Sequence, residues 1–118
     1  AQRRRERVQK LFLEIGLAGL ENRRPAELSG GQQQRVAVAR AMVTEPALIL
    51  ADEPTANLDS ATAAALLDVM EQLNRSTGTT FIFSTHDLQV MERAHRLIRL
   101  RDGQVVSDVA HAGHALSS

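Results

Sequence analysis

Leu28-Ser29-Gly30-Gly31-Gln32 opens a stretch that runs on through a helical pattern to Pro46. The apolar run Ala47-Leu48-Ile49-Leu50-Ala51 follows, then Asp52-Glu53-Pro54 and the loop Thr55-Ala56-Asn57-Leu58-Asp59. Ser29 stands where an N-cap belongs, and the spacing predicts a helix over about 31–44. Val36, Ala39, Ala41, Met42 and Val43 supply its apolar faces. Pro46 disfavours helical geometry at Glu45. The run 47–51, wholly apolar between breakers, predicts a strand buried on both faces, as in a parallel sheet.

Upstream, Val8, Leu11, Phe12 and Ile15 fall on one stripe of a helix over 3–15, with Arg3, Arg4, Arg5, Glu6, Lys10 and Glu14 filling most of the rest. Gly16 stops it. The arginines read as a solvated face or as a contact for an acidic partner or lipid headgroups. Residues 17–28 form a polar connector with Gly19, Asn22 and Pro25. Downstream, Asp59 or Ser60 can cap a helix over about 61–75, with Leu66, Met70 and Leu73 on its buried stripe and Leu67 beside it. Residues 80–84 read as a second buried strand after the turn Thr77-Gly78-Thr79. Asp87 can cap a short helix. Residues 97–100 form a third strand, and 105–107 return after Arg101-Asp102-Gly103-Gln104, because Asp-Gly suits the positive φ angles of a two-residue hairpin. The tail from Asp108 onward is expected to fray. Strand, helix, strand, helix, strand is the pattern of an α/β sheet, whose sites lie beyond the carboxyl ends of its strands. Asp52, Glu53 and His86 all fall at that edge.

Composition narrows the classes. At 118 residues the chain is one domain or part of one, and 43% apolar residues is ordinary for a globular protein. No apolar run reaches the roughly 20 residues of a membrane span, and no secretory pattern opens the chain. The absence of cysteine excludes disulfides and thiolate metal sites, and it permits the intracellular setting taken as the default. A formal net charge of zero argues against a generally basic nucleic-acid binder. Phe12, Phe81 and Phe83, the only aromatics, sit in apolar patterns rather than on a stacking surface.

Three groups carry candidate chemistry. At Ser29-Gly30-Gly31-Gln32 a helix start offers unpaired N–H groups and the positive end of a dipole. Two glycines let an anion approach and a hydroxyl adds a donor, which together favour a phosphate. A plain serine N-cap after a glycine hinge accounts for the same residues. Asp52 and Glu53 end a buried strand, where two carboxylates are costly unless a cation or donors neutralise them. Alternation along the strand sends them to opposite sides. One suits a hard cation such as Mg²⁺ and the other a water to be oriented or deprotonated, with Pro54 keeping Glu53 extended. Two solvated carboxylates in a loop are the plainer reading. His86, at the next strand's exit, suits donation to a terminal phosphate or a structural hydrogen bond. His95, His111 and His114 have no supporting pattern, and no zinc site is expected from the tail.

Set in this order, the residues resemble the ATP-binding-cassette (ABC) ATPases. Leu28-Ser29-Gly30-Gly31-Gln32, continued by Gln34-Arg35, matches the family's signature motif. Residues 47–53 look like the Walker B strand with its catalytic glutamate, Asn57-Leu58-Asp59 like the D-loop, and His86 like the switch histidine. The resemblance covers nearly everything from Arg3 to Asp108. It implies the C-terminal part of a P-loop NTPase domain, with parallel strands flanked by helices, a terminal β-hairpin and the first part of the domain missing. Residues 1–45 would end the helical subdomain and 46–118 belong to the core subdomain. It further implies ATP and Mg²⁺ as cofactors, with Asp52 holding Mg²⁺ through water, Glu53 as general base or water orienter and His86 on the γ-phosphate. Ser29, Gly30, Gly31, Gln32 and Asp59 would meet ATP held by a second ATPase subunit in a head-to-tail dimer. That role requires the Gly30-Gly31 corner to be open. Phosphate binding in this family also needs G-x-x-x-x-G-K-[ST], and the one lysine, Lys10, has no glycine before it. The 118 residues alone are therefore expected not to hydrolyse ATP and to be marginally stable, with apolar sheet surface and an open edge.

Residues 50–59, with Thr85-His86-Asp87-Leu88-Gln89 and Arg101-Asp102-Gly103-Gln104, resemble the branch that drives lipoprotein release and macrolide-type export. Glycine usually stands there in place of Ala56. The implied partners are membrane-spanning permease subunits, with the cassette peripheral on the cytoplasmic face of the inner membrane. No nucleic acid is expected. The rival readings are a soluble cassette ATPase acting on DNA or ribosomes and a non-catalytic remnant.

Overall fold

The computed structural model describes residues 2–17, 24, 26 and 28–110. Gly19, Asn22 and Pro25 of the expected connector, the side chains of Arg3 and Arg4, and His111 and His114 lie outside the described residues. The elements in order are α1 (Gln2–Glu14), α2 (Gly30–Met42), β1 (Leu48–Asp52), α3 (Ser60–Thr77), β2 (Thr80–Ser84), α4 (Leu88–Arg93), β3 (Arg96–Arg101) and β4 (Gln104–Ala110). The architecture is α/β, with a parallel strand pair and a C-terminal antiparallel hairpin. Two compact units divide the chain, the first ending at Ser84 and the second beginning at Thr85.

The first unit is built on three helices. Leu11, Phe12, Ile15 and the following Leu17 bury the expected stripe of α1. Val36, Ala39 and Met42 do so for α2 with Val43 just beyond, joined by Val38, which the apolar pattern had not marked. Ala63, Leu66, Leu67, Met70 and Leu73 line the inner face of α3, and α2 packs against both other helices. Arg7 fastens the exit of α2. Its Nη1 donates to the Val43 carbonyl at 2.7 Å, and its Nε lies 3.3 Å from Glu45 Oε1.

β1 and β2 run parallel in the register Leu48↔Thr80, Leu50↔Ile82, Asp52↔Ser84. The crossover through α3 ends on Gly78, at φ 77°, whose N–H bonds the Asn74 carbonyl. Buried Thr79 then donates from Oγ1 to the Pro46 carbonyl at 2.8 Å, and Thr80 N–H to the Ala47 carbonyl at 2.9 Å, which sets the register. The strands are not buried on both faces, although the apolar run alone suggested it, and the uncovered face is the apolar sheet surface expected of these 118 residues by themselves. Ile49, Ala51, Phe81 and Phe83 are half-buried, with the two rings stacked at 6.3 Å, whereas Leu48, Leu50 and Ile82 are exposed on the other face, Leu50 to 74%. A continuous apolar run reports that both faces avoid water in the complete environment. Here the helices of the first unit leave one face uncovered.

In the second unit Asp87 caps α4 through Gln89 N–H, and β3 pairs with β4. Asp102 and Gly103 take φ 51° and 78°, as the Asp-Gly turn requires. β4 is longer than expected and does not fray at Asp108. That carboxylate accepts two hydrogen bonds from the Arg96 guanidinium, at 2.8 and 2.6 Å, and pairing continues to Ala110.

Candidate functional site

The start of α2 is a complete capping box. Ser29 Oγ accepts from Gln32 N–H at 3.1 Å, and Gln32 Oε1 accepts from Ser29 N–H at 3.0 Å. The Gln33 N–H bonds the Ser29 carbonyl. Gly30 and Gly31 therefore carry the first-turn amides that no intrahelical acceptor can reach. Ser29 Oγ accepts the bond from Gln32 N–H and keeps its own proton for donation to another acceptor. Ser29 and Gly30 are exposed.

Gly31 is buried, so the corner is only half open. A Cβ at Gly31 would lie 2.5 Å from Thr62 Cγ2, and one at Gly30 would lie 3.4 Å from Leu58 Cδ2. The close approach of α3 thus requires glycine at 31, whereas a Cβ at Gly30 would make only ordinary contact; the residue pattern had offered an anion site or a plain cap after a glycine hinge. Thr62 also donates from Oγ1 to Asp59 Oδ1 at 2.5 Å and from N–H to Oδ2 at 3.2 Å. Asp59 is accordingly the N-cap of α3, and the Thr62 hydroxyl, then its amide, hold this exposed carboxyl below its ordinary range. Sequence reasoning misses Thr62 as a site residue. The Asp-x-x-Thr spacing is a legible capping signal, but nothing local announces its methyl group against Gly31.

Asp52 ends β1 exposed, and Glu53 follows it half-buried. Glu53 is not extended, as Pro54 had suggested. It sits at φ 48°, and Glu45 before Pro46 does likewise at 54°. The proline ring disfavours right-handed helical geometry for its neighbour, and here each chain escapes to the left-handed side instead. Glu53 N–H donates to the Ser84 carbonyl at 2.7 Å, and Glu53 and Thr55 carbonyls accept from Ala56 and Leu58, winding the loop back toward α3. Asn57 takes φ 67°, whereas Ala56 keeps a negative φ, so alanine is unstrained there. With Asp52 in solvent, the expected desolvation cost of the acidic tip is small. Among the described residues no cluster of three or more metal-ligating side chains occurs.

His86 lies in the second unit, exposed, between Thr85 and Asp87; Asp87 N–H bonds Thr85 Oγ1 at 2.9 Å. No helix among the described residues is long and apolar enough to cross a membrane.

Comparison with known proteins agrees with these features. The ABC transporter family model matches residues 2–56. The chain is 46% identical over 112 residues to the macrolide export ATP-binding/permease protein MacB of Syntrophobacter fumaroxidans, an alignment covering 95% of this chain and 16% of that relative. The ATP-binding cassette MJ0796, solved as a dimer in a post-hydrolysis state bound to ADP and Pi, superposes with a TM-score of 0.75 at 40% identity, over 93% of this chain and 48% of that one. A nucleotide-free cassette from an ABC transporter gives a TM-score of 0.86 at 26% identity, over 100% and 48%. The chain belongs to the ABC transporter ATPases and carries part of the cassette fold, spanning about half the length of these cassettes. Within the family it is similar to the MacB-type export branch.

Proposed function

We propose that the chain is the signature and Walker B portion of an ATPase subunit that powers export, with lipoprotein release or a related extraction as its task. The observation that carries this reading is the shared surface of the Ser29-capped helix start and the Asp59 loop. It sets the first-turn amides of α2, the exposed Ser29 hydroxyl and the N-capping Asp59 carboxylate side by side. Such a surface is fitted to the terminal phosphate of a nucleotide held by a second cassette, met by Ser29, Gly30, Gly31 and Gln32. Asp59 reaches across the same interface.

At the strand tip, Glu53 orients the attacking water and accepts its proton, and His86 donates to the γ-phosphate within its own subunit. Asp52 fits a water-mediated hold on Mg²⁺, being a single exposed hard-oxygen donor, and the ion would supply charge neutralisation at the phosphates. The further partners are permease subunits in the membrane, with the cassette on their cytoplasmic side.

The test compares the 118-residue chain with a complete cassette carrying it. The chain alone should show no turnover. The complete cassette should hydrolyse ATP, and Glu53→Gln should stop hydrolysis while leaving an ATP-bound dimer. Robust turnover by the chain alone, abolished by Glu53→Gln, would overturn the reading.

A further inference from the structure

We propose that Thr62 is a positioning residue that locks the Asp59 loop to the Gly30-Gly31 corner, so that the two meet a nucleotide as one body. The proposal rests on the nucleotide-facing reading of those two elements.

Threonine carries its hydroxyl and its methyl on one Cβ, and branching there leaves χ1 few choices. At Thr62 both substituents are used. Oγ1 donates to Asp59 Oδ1 at 2.5 Å, and Cγ2 occupies the space that a Gly31 side chain would need, 2.5 Å from where its Cβ would stand. The rotamer that satisfies the carboxylate is therefore the one that seats the methyl on the helix start. Asp59 is anchored at both oxygens, since Thr62 N–H takes Oδ2, and its carbonyl accepts from Ala63 N–H at 2.9 Å. Leu58 adds a second point of contact beside Gly30. Rotation of Asp59 away from its cap would free the Thr62 side chain and loosen the seat of Gly31. Conversely, a displaced helix start would disturb the carboxylate.

Serine at this position keeps the hydroxyl and loses the methyl, and valine does the reverse at nearly equal volume. The two substitutions separate the two links. In a complete, ATP-hydrolysing cassette carrying this chain, Thr62→Val should lower kcat about tenfold, the rate equivalent of one hydrogen bond, with KM nearly unchanged. Thr62→Ser should retain turnover within about threefold. Gly31→Ala should suppress ATP-dependent pairing, and Thr62→Ser in the same molecule should restore it, because the added methyl finds the space the first one left. Carbon-detected NMR titration of the Asp59 carboxyl should show its pKa rising toward the ordinary value in Thr62→Val and staying low in Thr62→Ser.

Wild-type turnover by a folded Thr62→Val, or Gly31→Ala equally damaging with serine or threonine at 62, would overturn the proposal. Should Thr62→Val fail to fold, the Gly31→Ala and Thr62→Ser cycle decides alone. Ser29→Asp separates the two levels. If it pairs with ATP as the wild type does, the nucleotide reading falls and takes this proposal with it. If it abolishes pairing while Thr62→Val turns over normally, only the role of Thr62 falls.

Discussion

The backbone N–H of Glu53 donates to the carbonyl of Ser84 at 2.7 Å, one residue past the last register pair of β1 and β2. The main chain of the candidate general base is thus tied to the neighbouring strand, at φ 48°. Glu53→Gln, which keeps that main-chain hydrogen bond, should shift the melting temperature by only a few degrees while lowering turnover of a complete cassette by about 10²–10⁴-fold. Glu53→Gly, which removes the left-handed strain, should be equally inactive yet no less stable. Thermal melts beside phosphate-release assays check both.

Ser29 has a capping role and a proposed phosphate role, and these can be separated. Ser29→Ala removes the acceptor for Gln32 N–H and should cost about 1 kcal/mol, read as a lower denaturation midpoint of the helical signal. Ser29→Asp caps as well as serine does but sets a negative charge where the phosphate would arrive. It should keep the stability and abolish ATP-dependent dimers in size-exclusion chromatography.

Acid should weaken both units by the same linkage. Asp59, through the Thr62 hydroxyl, and Asp108, through its hydrogen bonds from Arg96, are held below the ordinary carboxylate range in the folded state. A depressed folded pKa gives stability that is complete above the unfolded value, about 4, and is lost as pH falls through the folded one. Both groups are exposed, so the effect is small, and salt should reduce the Asp108 share. Melting temperatures should hold steady down to about pH 5 and decline below about pH 4. Asp59→Asn should show a shallower decline.

Gly78 ends α3 at φ 77°, and a Cβ there would meet open space. Gly78→Ala should cost about 1 kcal/mol from backbone strain alone. Gly31→Ala, which meets Thr62, should cost more although its φ is not left-handed. Paired urea titrations would show the order.

Leu50 is 74% exposed on the face it shares with Leu48 and Ile82. Leu50→Glu should reduce concentration-dependent association of the 118-residue chain in light scattering. It should change stability by no more than about 0.5 kcal/mol.

Much of this molecule was legible from its residues. The stripes of α1 and α3, the Ser29 and Asp59 caps, the Asp102-Gly103 turn and the parallel pairing of the two apolar runs all appear where expected. The misreadings share a cause. Pro54 excluded one conformation for Glu53 without choosing the other, and that choice came from the Ser84 carbonyl on a different strand. Asp108 looked like the start of a tail because Arg96, its partner, lies across the hairpin.

The helix ends and the order of elements could be read from the residues in isolation, because caps, turns and apolar periodicity act over a few bonds, and the motifs of residues 28–35, 47–53 and 57–59 carried the family resemblance. Tertiary structure alone decided that Gly31 is spaced for the Thr62 methyl, that Glu53 is held left-handed and that one sheet face stands in water. Each of these depends on atoms brought together from distant parts of the chain, where packing and main-chain hydrogen bonds outweigh local preference.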